Sequence, residues 1–218
     1  MKKSTLKILD NLILRYPNLN VSYDDILQAT NILIKTFNDN KKLLICGNGG
    51  SASDSLHIVG ELMKSFVLKR SLNSEIKSKL SIISDNSEYF INNLQMPLPA
   101  IALVNETALI TAYSNDVNPD LVFAQQVLGY GSSGDCLLAI STSGNSANVI
   151  YAVKVAKALG LSVIGLTGNN CNSKLNTISD VCIKVPESET FKIQELHLPI
   201  YHAICLMLEE EFFGDSEA

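Results

Sequence analysis

The sequence predicts an α/β fold: a doubly wound, five-stranded parallel sheet with an N-terminal helical arm. Five short runs are almost continuously apolar, which is typical of strands buried on both faces of a parallel sheet. Segments with helical periodicity separate the runs, as βαβ crossovers require. Hydrophobic residues make up 46% of the 218 residues, enough for one sizeable core, which excludes disorder as the main state. The five runs are 42–46, 100–104, 136–140, 163–166 and 181–185.

The N-terminal arm is predicted to comprise residues 1–40, and the α/β domain residues 41–218. In the arm, apolar residues lie mostly on one side of a predicted helix over 4–15. Ser22 is predicted to cap a second helix over 23–38, whose first turn is acidic. We expect this arm to pack on the core or on a neighbouring subunit.

Helical patterns fill the intervals between the predicted strands. One segment, residues 69–97, departs from the alternation of strand and helix. It contains two helical-looking pieces, 74–83 and 87–94, separated by polar residues, and we interpret it as an insertion on the surface or over the site. The other predicted helices of the domain are 52–67, 106–114, 119–129, 146–159 and 190–212.

Charge and composition exclude several classes of function. Lys plus Arg number 17 and Asp plus Glu 22, so the net charge is −5, and without a basic cluster we expect no nucleic-acid partner. No apolar run approaches the roughly 18 residues that span a bilayer, so we expect no membrane association. The five cysteines are widely spaced, and four lie in apolar runs, which favours a reducing, cytoplasmic location.

Two loops carry the residue types that bind anions. Residues 47–51 (GNGGS) follow the first strand and open a helix, where glycines permit close backbone approach and free N–H groups face the ligand. A tight strand-to-helix turn would explain this loop alone. Residues 141–146 (STSGNS) repeat the design after the third strand, with more hydroxyls than a cap requires. Because both loops follow parallel strands, they favour a phosphate site at one edge of the sheet.

Three further residues form candidate chemistry. His57 and Glu61 are four residues apart, which places them on one face of the helix that begins at the first loop. A solvated ion pair would also explain this spacing. His202 lies within an apolar stretch of the last predicted helix, where it is either a buried core histidine or a functional group.

At these features the chain resembles the sugar isomerase (SIS) domain family and, within it, the phosphoheptose isomerase branch. The string ISTSGNS is typical of the superfamily, whereas HxxxE together with IQExH and a later histidine is more selective. The resemblance covers most of residues 20–212. The matching strings are CGNGGSASDSLHIVGEL (46–62), LPAIAL (98–103), SND (114–116), GDCLLAISTSGNSANVI (134–150), LTG (166–168) and IQELHLPIYH (193–202).

The resemblance implies a role for each matching residue. Glu61 and His202 correspond to the acid/base residues of the family. A divalent metal, usually zinc, would be held by His57, Glu61, Gln194 and His202. The substrate-binding residues would be Asn48, Gly49, Gly50, Ser51, Glu61, Asn115, Asp116, Ser141, Thr142, Ser143, Ser146 and Gln194.

The resemblance also implies an activity and an assembly. The family converts sedoheptulose 7-phosphate to D-glycero-D-manno-heptose 7-phosphate through an enediol, as a homotetramer with active sites near subunit contacts. Two alternatives stay open: an isomerase of another sugar phosphate, with residues 69–97 setting specificity, or a non-catalytic SIS module that binds a sugar phosphate or a protein. The presence of both Glu61 and His202 favours catalysis.

Overall fold

Five parallel strands form a single sheet in the order β2-β1-β3-β4-β5. The structure is a computed structural model, and it describes residues 1–215. The predicted fold class is confirmed, because every strand pair is parallel and helices separate the strands. The strands are β1 Leu43–Cys46, β2 Ala100–Ala102, β3 Cys136–Ile140, β4 Ser162–Thr167 and β5 Val181–Lys184.

Ten α-helices accompany the sheet in the described part of the chain. Eight of them match predicted segments within a few residues, including both helices of the 69–97 segment. Two short 3₁₀ turns, Pro17–Ser22 and Pro119–Leu121, precede α2 and α7. The helices are α1 Lys3–Arg15, α2 Tyr23–Asn38, α3 Gly50–Met63, α4 Ser74–Ile83, α5 Ser87–Asn93, α6 Thr107–Asp116, α7 Val122–Tyr130, α8 Ala147–Ala158, α9 Lys174–Ile178 and α10 Thr190–Phe213.

The sheet reverses its direction of growth at β1, which has β2 on one side and β3 on the other. Ligands of open α/β sheets bind at such switch points, outside the carboxyl ends of the strands. In the register of β1 and β3, Leu43 pairs with Cys136 and Cys46 with Ala139, so the two strands end almost level. The loops that follow them therefore start side by side.

Alternate side chains of the strands form two cores, one on each face of the sheet. The helices α1, α2, α3 and α10 cover the face that contains Leu43 and Ile45, whereas α7 and α8 cover the face that contains Leu44 and Cys46. The two long helices that bear the candidate catalytic residues, α3 and α10, thus share one core.

Three local predictions were wrong. Ser22 occupies the predicted N-cap position of α2, but its hydroxyl does not cap the helix and instead donates to the Lys184 carbonyl at 2.6 Å. The helix predicted to run to residue 67 ends at Met63, since the next backbone N–H groups bind a buried carboxylate. The short helix α9 was not predicted.

A buried ion pair joins the end of α3 to α10. Arg70 and Glu209 have side chains that are 0% and 1% exposed, and Arg70 Nε donates to Glu209 Oε1 at 2.7 Å. The guanidinium also donates to the carbonyls of Glu61 and Leu62, in the last turn of α3. The Glu209 carboxylate accepts three more hydrogen bonds from the backbone of residues 66–68. Every charge in this pair is therefore compensated.

The segment predicted as an insertion forms a helical pair, α4 and α5, in which no residue is buried. Its two ends lie together, because the Met96 N–H donates to the Arg70 carbonyl at 2.9 Å. Within residues 1–215, no helix is long and apolar enough to cross a membrane.

Replacing Arg70 by Met or Glu209 by Gln is expected to lower the free energy of unfolding by about 3–5 kcal/mol, because each change leaves an uncompensated charge or dipole in the core. The double variant should lose less than the sum of the two single variants. Urea denaturation followed by circular dichroism measures both effects. Lys79→Met, which breaks an exposed ion pair with Glu75, should cost well under about 1 kcal/mol. Equal losses in the buried and exposed pairs would contradict this account.

Candidate active site

The loops after β1 and β3 line one cavity of about 220 Å³ at the carboxyl end of the sheet. The structure thus brings together most of the residues that the two loop motifs singled out. Gln194 of α10 also reaches this cavity. The lining residues are Asn48, Gly49, Gly50, Ser51, Ile140, Ser141, Thr142, Ser146, Thr190 and Gln194.

Three helix N-termini converge on this cavity. Its lining includes Gly50 at the start of α3, Ser146 directly before α8, and Thr190 at the start of α10. Unpaired N–H groups and the positive ends of three helix dipoles therefore face the same volume. Among residues 1–215, no lysine or arginine lines it. An anion such as phosphate is the ligand that this arrangement favours.

Glycines permit the close backbone approach that shapes the cavity. Gly49 has φ +57° and Gly144 has φ +64°, a region that residues with a Cβ rarely adopt. At Gly50, a Cβ would lie 2.6 Å from Gln194 Nε2, so α3 and the side chain of α10 pack without space for an alanine. In the loop after β3, the hydroxyl oxygens of Ser141 and Ser146 lie 3.1 Å apart.

Besides Glu61, three predicted substrate-binding residues lie outside this lining. Ser143 is exposed, with its hydroxyl 3.5 Å from that of Ser141 and hydrogen-bonded to the Asn145 N–H. Asn115 and Asp116 stand at the end of α6 and hydrogen-bond to each other, exposed to solvent. Their neighbour Ser114 lines an adjacent cavity of about 300 Å³, which shares Asn48 and Gly49 with the first.

His57 and Glu61 form the predicted pair on α3. His57 Nε2 lies 3.2 Å from Glu61 Oε1, and the other carboxylate oxygen accepts a hydrogen bond from Lys64 Nζ at 3.0 Å. The Glu61 side chain is only 14% exposed, whereas that of His57 is 42% exposed. The Glu61 carboxylate thus lies between an imidazole nitrogen and an ammonium group.

His202 of α10 faces the same pair. Its ring centroid lies 4.9 Å from that of His57 and 5.6 Å from that of Phe66. Burial and the neighbouring His57 lower the pKa of His202, against an opposing effect of Glu61. Its Nε2 atom is buried and has no hydrogen-bond partner among residues 1–215, which is unusual for a buried polar atom.

The anion cavity and the His–Glu cluster occupy different stretches of the same two helices. Gly50 and Glu61 are eleven residues apart on α3, about 16 Å along its axis. Gln194 and His202 are eight residues apart on α10, about 12 Å, and the helix continues through Pro199 without a break. Gln194 therefore lies beside the anion cavity, whereas His202 lies at the level of the His57–Glu61 pair.

The chemistry of the donors suits zinc, which binds imidazole nitrogen and carboxylate oxygen. His57 Nε2, Glu61 Oε1 and the partnerless His202 Nε2 supply such atoms on neighbouring surfaces of α3 and α10. Within residues 1–215, however, no group of three or more His, Cys, Asp or Glu side chains is already arranged to hold an ion. The four expected ligands would have to adjust their side chains to share one metal.

Sequence reasoning missed several residues near the candidate site. Thr190 lines the cavity because it is the first residue of α10, whose N-terminus faces the cavity. The Tyr201 hydroxyl lies 3.0 Å from His57 Nδ1, and Asp54 lies one turn before His57 on α3. His197 is fully buried, and burial lowers its pKa to about 4, so it is a neutral core residue.

Comparison with known proteins agrees with this architecture. A family model described as SIS domain matches residues 89–168. The chain is 39% identical over 184 residues to phosphoheptose isomerase from Aliarcobacter butzleri, covering 84% of each protein. It also resembles the structure of phosphoheptose isomerase from Neisseria gonorrhoeae, with TM-score 0.72, 31% identity and coverage of 95% and 94% of the two chains. A phosphoheptose isomerase from Francisella tularensis matches with TM-score 0.71, 28% identity and the same coverage. The chain belongs to the phosphoheptose isomerase family.

Proposed function

We propose that the protein is an aldose–ketose isomerase that converts sedoheptulose 7-phosphate to D-glycero-D-manno-heptose 7-phosphate through an enediol. The observation that carries the proposal is the cavity where three helix N-termini and the hydroxyls of Ser141 and Ser146 meet without a basic side chain. It suits a phosphate that is bound remotely from the reacting carbons, where it fixes the orientation of the sugar.

The reaction moves one proton between carbons and another between oxygens. In our proposal Glu61 takes the proton from C1 of the ketose and returns it to C2, while the O1 proton passes to O2, so that C1 becomes the aldehyde. His202, whose Nε2 has no hydrogen-bond partner in the described part of the chain, serves the oxygens or the opposite face of the sugar. No redox cofactor or nucleoside triphosphate enters this balance.

Zinc, or another divalent metal, is part of the proposal. His57, Glu61, Gln194 and His202 would hold it, and when bound it would stabilise negative charge on the enediolate oxygens. The partnerless Nε2 of His202 and the short separation of His57 and Glu61 support a cation at this place.

We also propose a homotetramer in the cytoplasm. Large apolar side chains stay exposed on α1 and on the two helices that carry the candidate site: Leu14 of α1 is 77% exposed, Leu56 and Met63 of α3 are 42% and 45%, and Leu198 of α10 is 42%. A second copy of the chain would cover them, as the resemblance to the family implies.

Glu61→Gln is expected to lower kcat by about 10²–10⁴-fold, because the amide cannot accept the carbon-bound proton. Proton NMR of purified protein with sedoheptulose 7-phosphate measures the aldose product, with pentulose and hexulose phosphates offered in parallel. Glu75→Gln, an exposed change on α4, is the control and should keep the wild-type rate. Wild-type turnover by Glu61→Gln would show that Glu61 is not the base. If the wild-type protein converted only a pentulose or hexulose phosphate, that sugar would be the substrate instead of the heptulose.

Ser146→Ala is expected to raise KM by roughly tenfold with kcat little changed, because hydrogen bonds to a charged phosphate act about equally in the ground and transition states. Steady-state kinetics on the same substrate separates the two constants. Ser81→Ala, which removes a hydroxyl bonded to the Lys77 carbonyl in α4, should change neither. A large fall in kcat at constant KM would contradict phosphate binding by Ser146.

Elemental analysis of protein purified without added metal is expected to find close to one zinc, or other divalent ion, per chain, and His57→Ala should remove most of it. Light scattering on the same sample should give a mass about four times 23.7 kDa. Metal-free protein with full activity would refute the metal part, and a monomeric mass would refute the assembly.

A further inference from the structure

Two asparagine side chains join the loop after β1 to the first turn of α8. Asn48 Nδ2 donates to Asn148 Oδ1 at 2.9 Å, and Asn148 Nδ2 donates back to Asn48 Oδ1 at 3.0 Å. Each amide thus satisfies one donor and one acceptor of the other, which fixes the mutual orientation of the two side chains. In the part of the chain that the structure describes, no other hydrogen bond joins residues 47–51 to residues 141–149.

The orientation of the Asn148 amide is set by its own helix. Because α8 begins at Ala147, the Val149 N–H is one of the first donors of the helix and has no carbonyl partner within it. Asn148 Oδ1 accepts a hydrogen bond from this N–H at 2.9 Å. The amide oxygen is therefore held at the helix, and the amide nitrogen is left to donate to Asn48.

The asparagine pair lies at the boundary between two cavities. Asn48 and Gly49 line both the anion cavity of about 220 Å³ and the adjacent cavity of about 300 Å³, whereas Asn148 lines only the adjacent one. The Asn48 carbonyl also accepts a hydrogen bond from the Ser51 N–H at 3.1 Å, in the turn that starts α3. A shift of Asn48 would therefore change the wall that the two cavities share.

The loop that contains Asn48 needs an external contact to stay in one conformation. Its other residues before Ser51 are Gly47, Gly49 and Gly50, and glycine loses more conformational freedom on ordering than any other residue. Asn48 is exposed, so the solvent competes for its amide. A loop that is already ordered before the ligand arrives binds it more tightly, because the entropy cost of ordering has been met beforehand.

We propose that Asn148 is a positioning residue, which holds Asn48 and the glycine loop against α8 and so pre-forms the wall of the anion cavity. Asn148 acts through Asn48, since it does not itself line that cavity. The proposal rests on the proposed function, in which Asn48 contacts the substrate. It adds a residue to the site that the two loop motifs and the acid/base pair do not include.

The first test uses inorganic phosphate and needs no turnover. Asn148→Ala should weaken phosphate binding, measured by isothermal titration calorimetry, by about 5–10-fold, because it removes both hydrogen bonds of the pair. In an Asn48→Ala background the same change should weaken binding less than about twofold, since Asn148 then has nothing to hold. Asn148→Ser keeps a hydroxyl for the N–H groups of the first turn of α8 but cannot form both hydrogen bonds. It should behave like Asn148→Ala and replaces that variant if alanine prevents folding.

The second test is kinetic. Asn148→Ala should raise KM for sedoheptulose 7-phosphate by about 5–10-fold and leave kcat within about twofold, because a pre-formed cavity wall favours the bound ground and transition states equally. A merely structural role would lower the folded fraction, and so kcat, at constant KM. Asn93→Ala is the matched control, since it removes another asparagine hydrogen bond, from Nδ2 to the Tyr89 carbonyl at 2.7 Å in α5. Asn93→Ala should change neither constant.

The outcomes separate this inference from the proposed function. Unchanged phosphate affinity and KM in Asn148→Ala would overturn the positioning role, and so would an equal loss in the wild-type and Asn48→Ala backgrounds, because Asn148 would then act independently of Asn48. If phosphate binding weakens as expected in a protein that does not convert sedoheptulose 7-phosphate, the proposed function is wrong and the positioning role stands. A wild-type protein that neither binds phosphate nor converts this sugar would overturn both.

Discussion

The buried contact between Arg70 and Glu209 sets the spatial relation of the two helices that bear the candidate catalytic groups. Arg70 hydrogen-bonds the last carbonyls of α3, where a helix has unpaired acceptors and a negative dipole end. Glu209 stands on α10, two turns after His202, and binds the backbone that leaves α3. The rings of His57 and His202 come within 4.9 Å because α3 ends at this ion pair and α10 passes beside it.

Helices α3 and α10 provide two different electrostatic environments along their length. At their N-termini, backbone N–H groups and dipoles favour an anion without any formal charge, which explains how a chain with net charge −5 offers a phosphate site. Further along, the titratable side chains of Glu61 and His202 gather around His57. Binding and proton transfer therefore depend on different residues, supported by the same core.

The sequence allowed the sheet, most helices and both loops to be predicted, because apolar runs and glycine positions are local signals. The convergence of Ser141 and Ser146 with Gly50 could be expected from strand topology alone. Contacts between elements were not predictable in this way: nothing local indicates that Arg70 is buried or that the Tyr201 hydroxyl contacts His57. The early end of α3 has the same origin, since Glu209, distant in sequence, binds the N–H groups that would have continued the helix.

The paired ends of the 71–95 excursion have a consequence for how the chain can change. Because a backbone hydrogen bond joins Met96 to Arg70, the two ends of this segment stay together, and the chain enters β2 from the same place whatever its length between them. The closure entropy of such a loop grows only slowly with length. The chain can therefore gain or lose residues at the tips of α4 and α5, or carry a grafted peptide there, with little effect on the stability of the sheet.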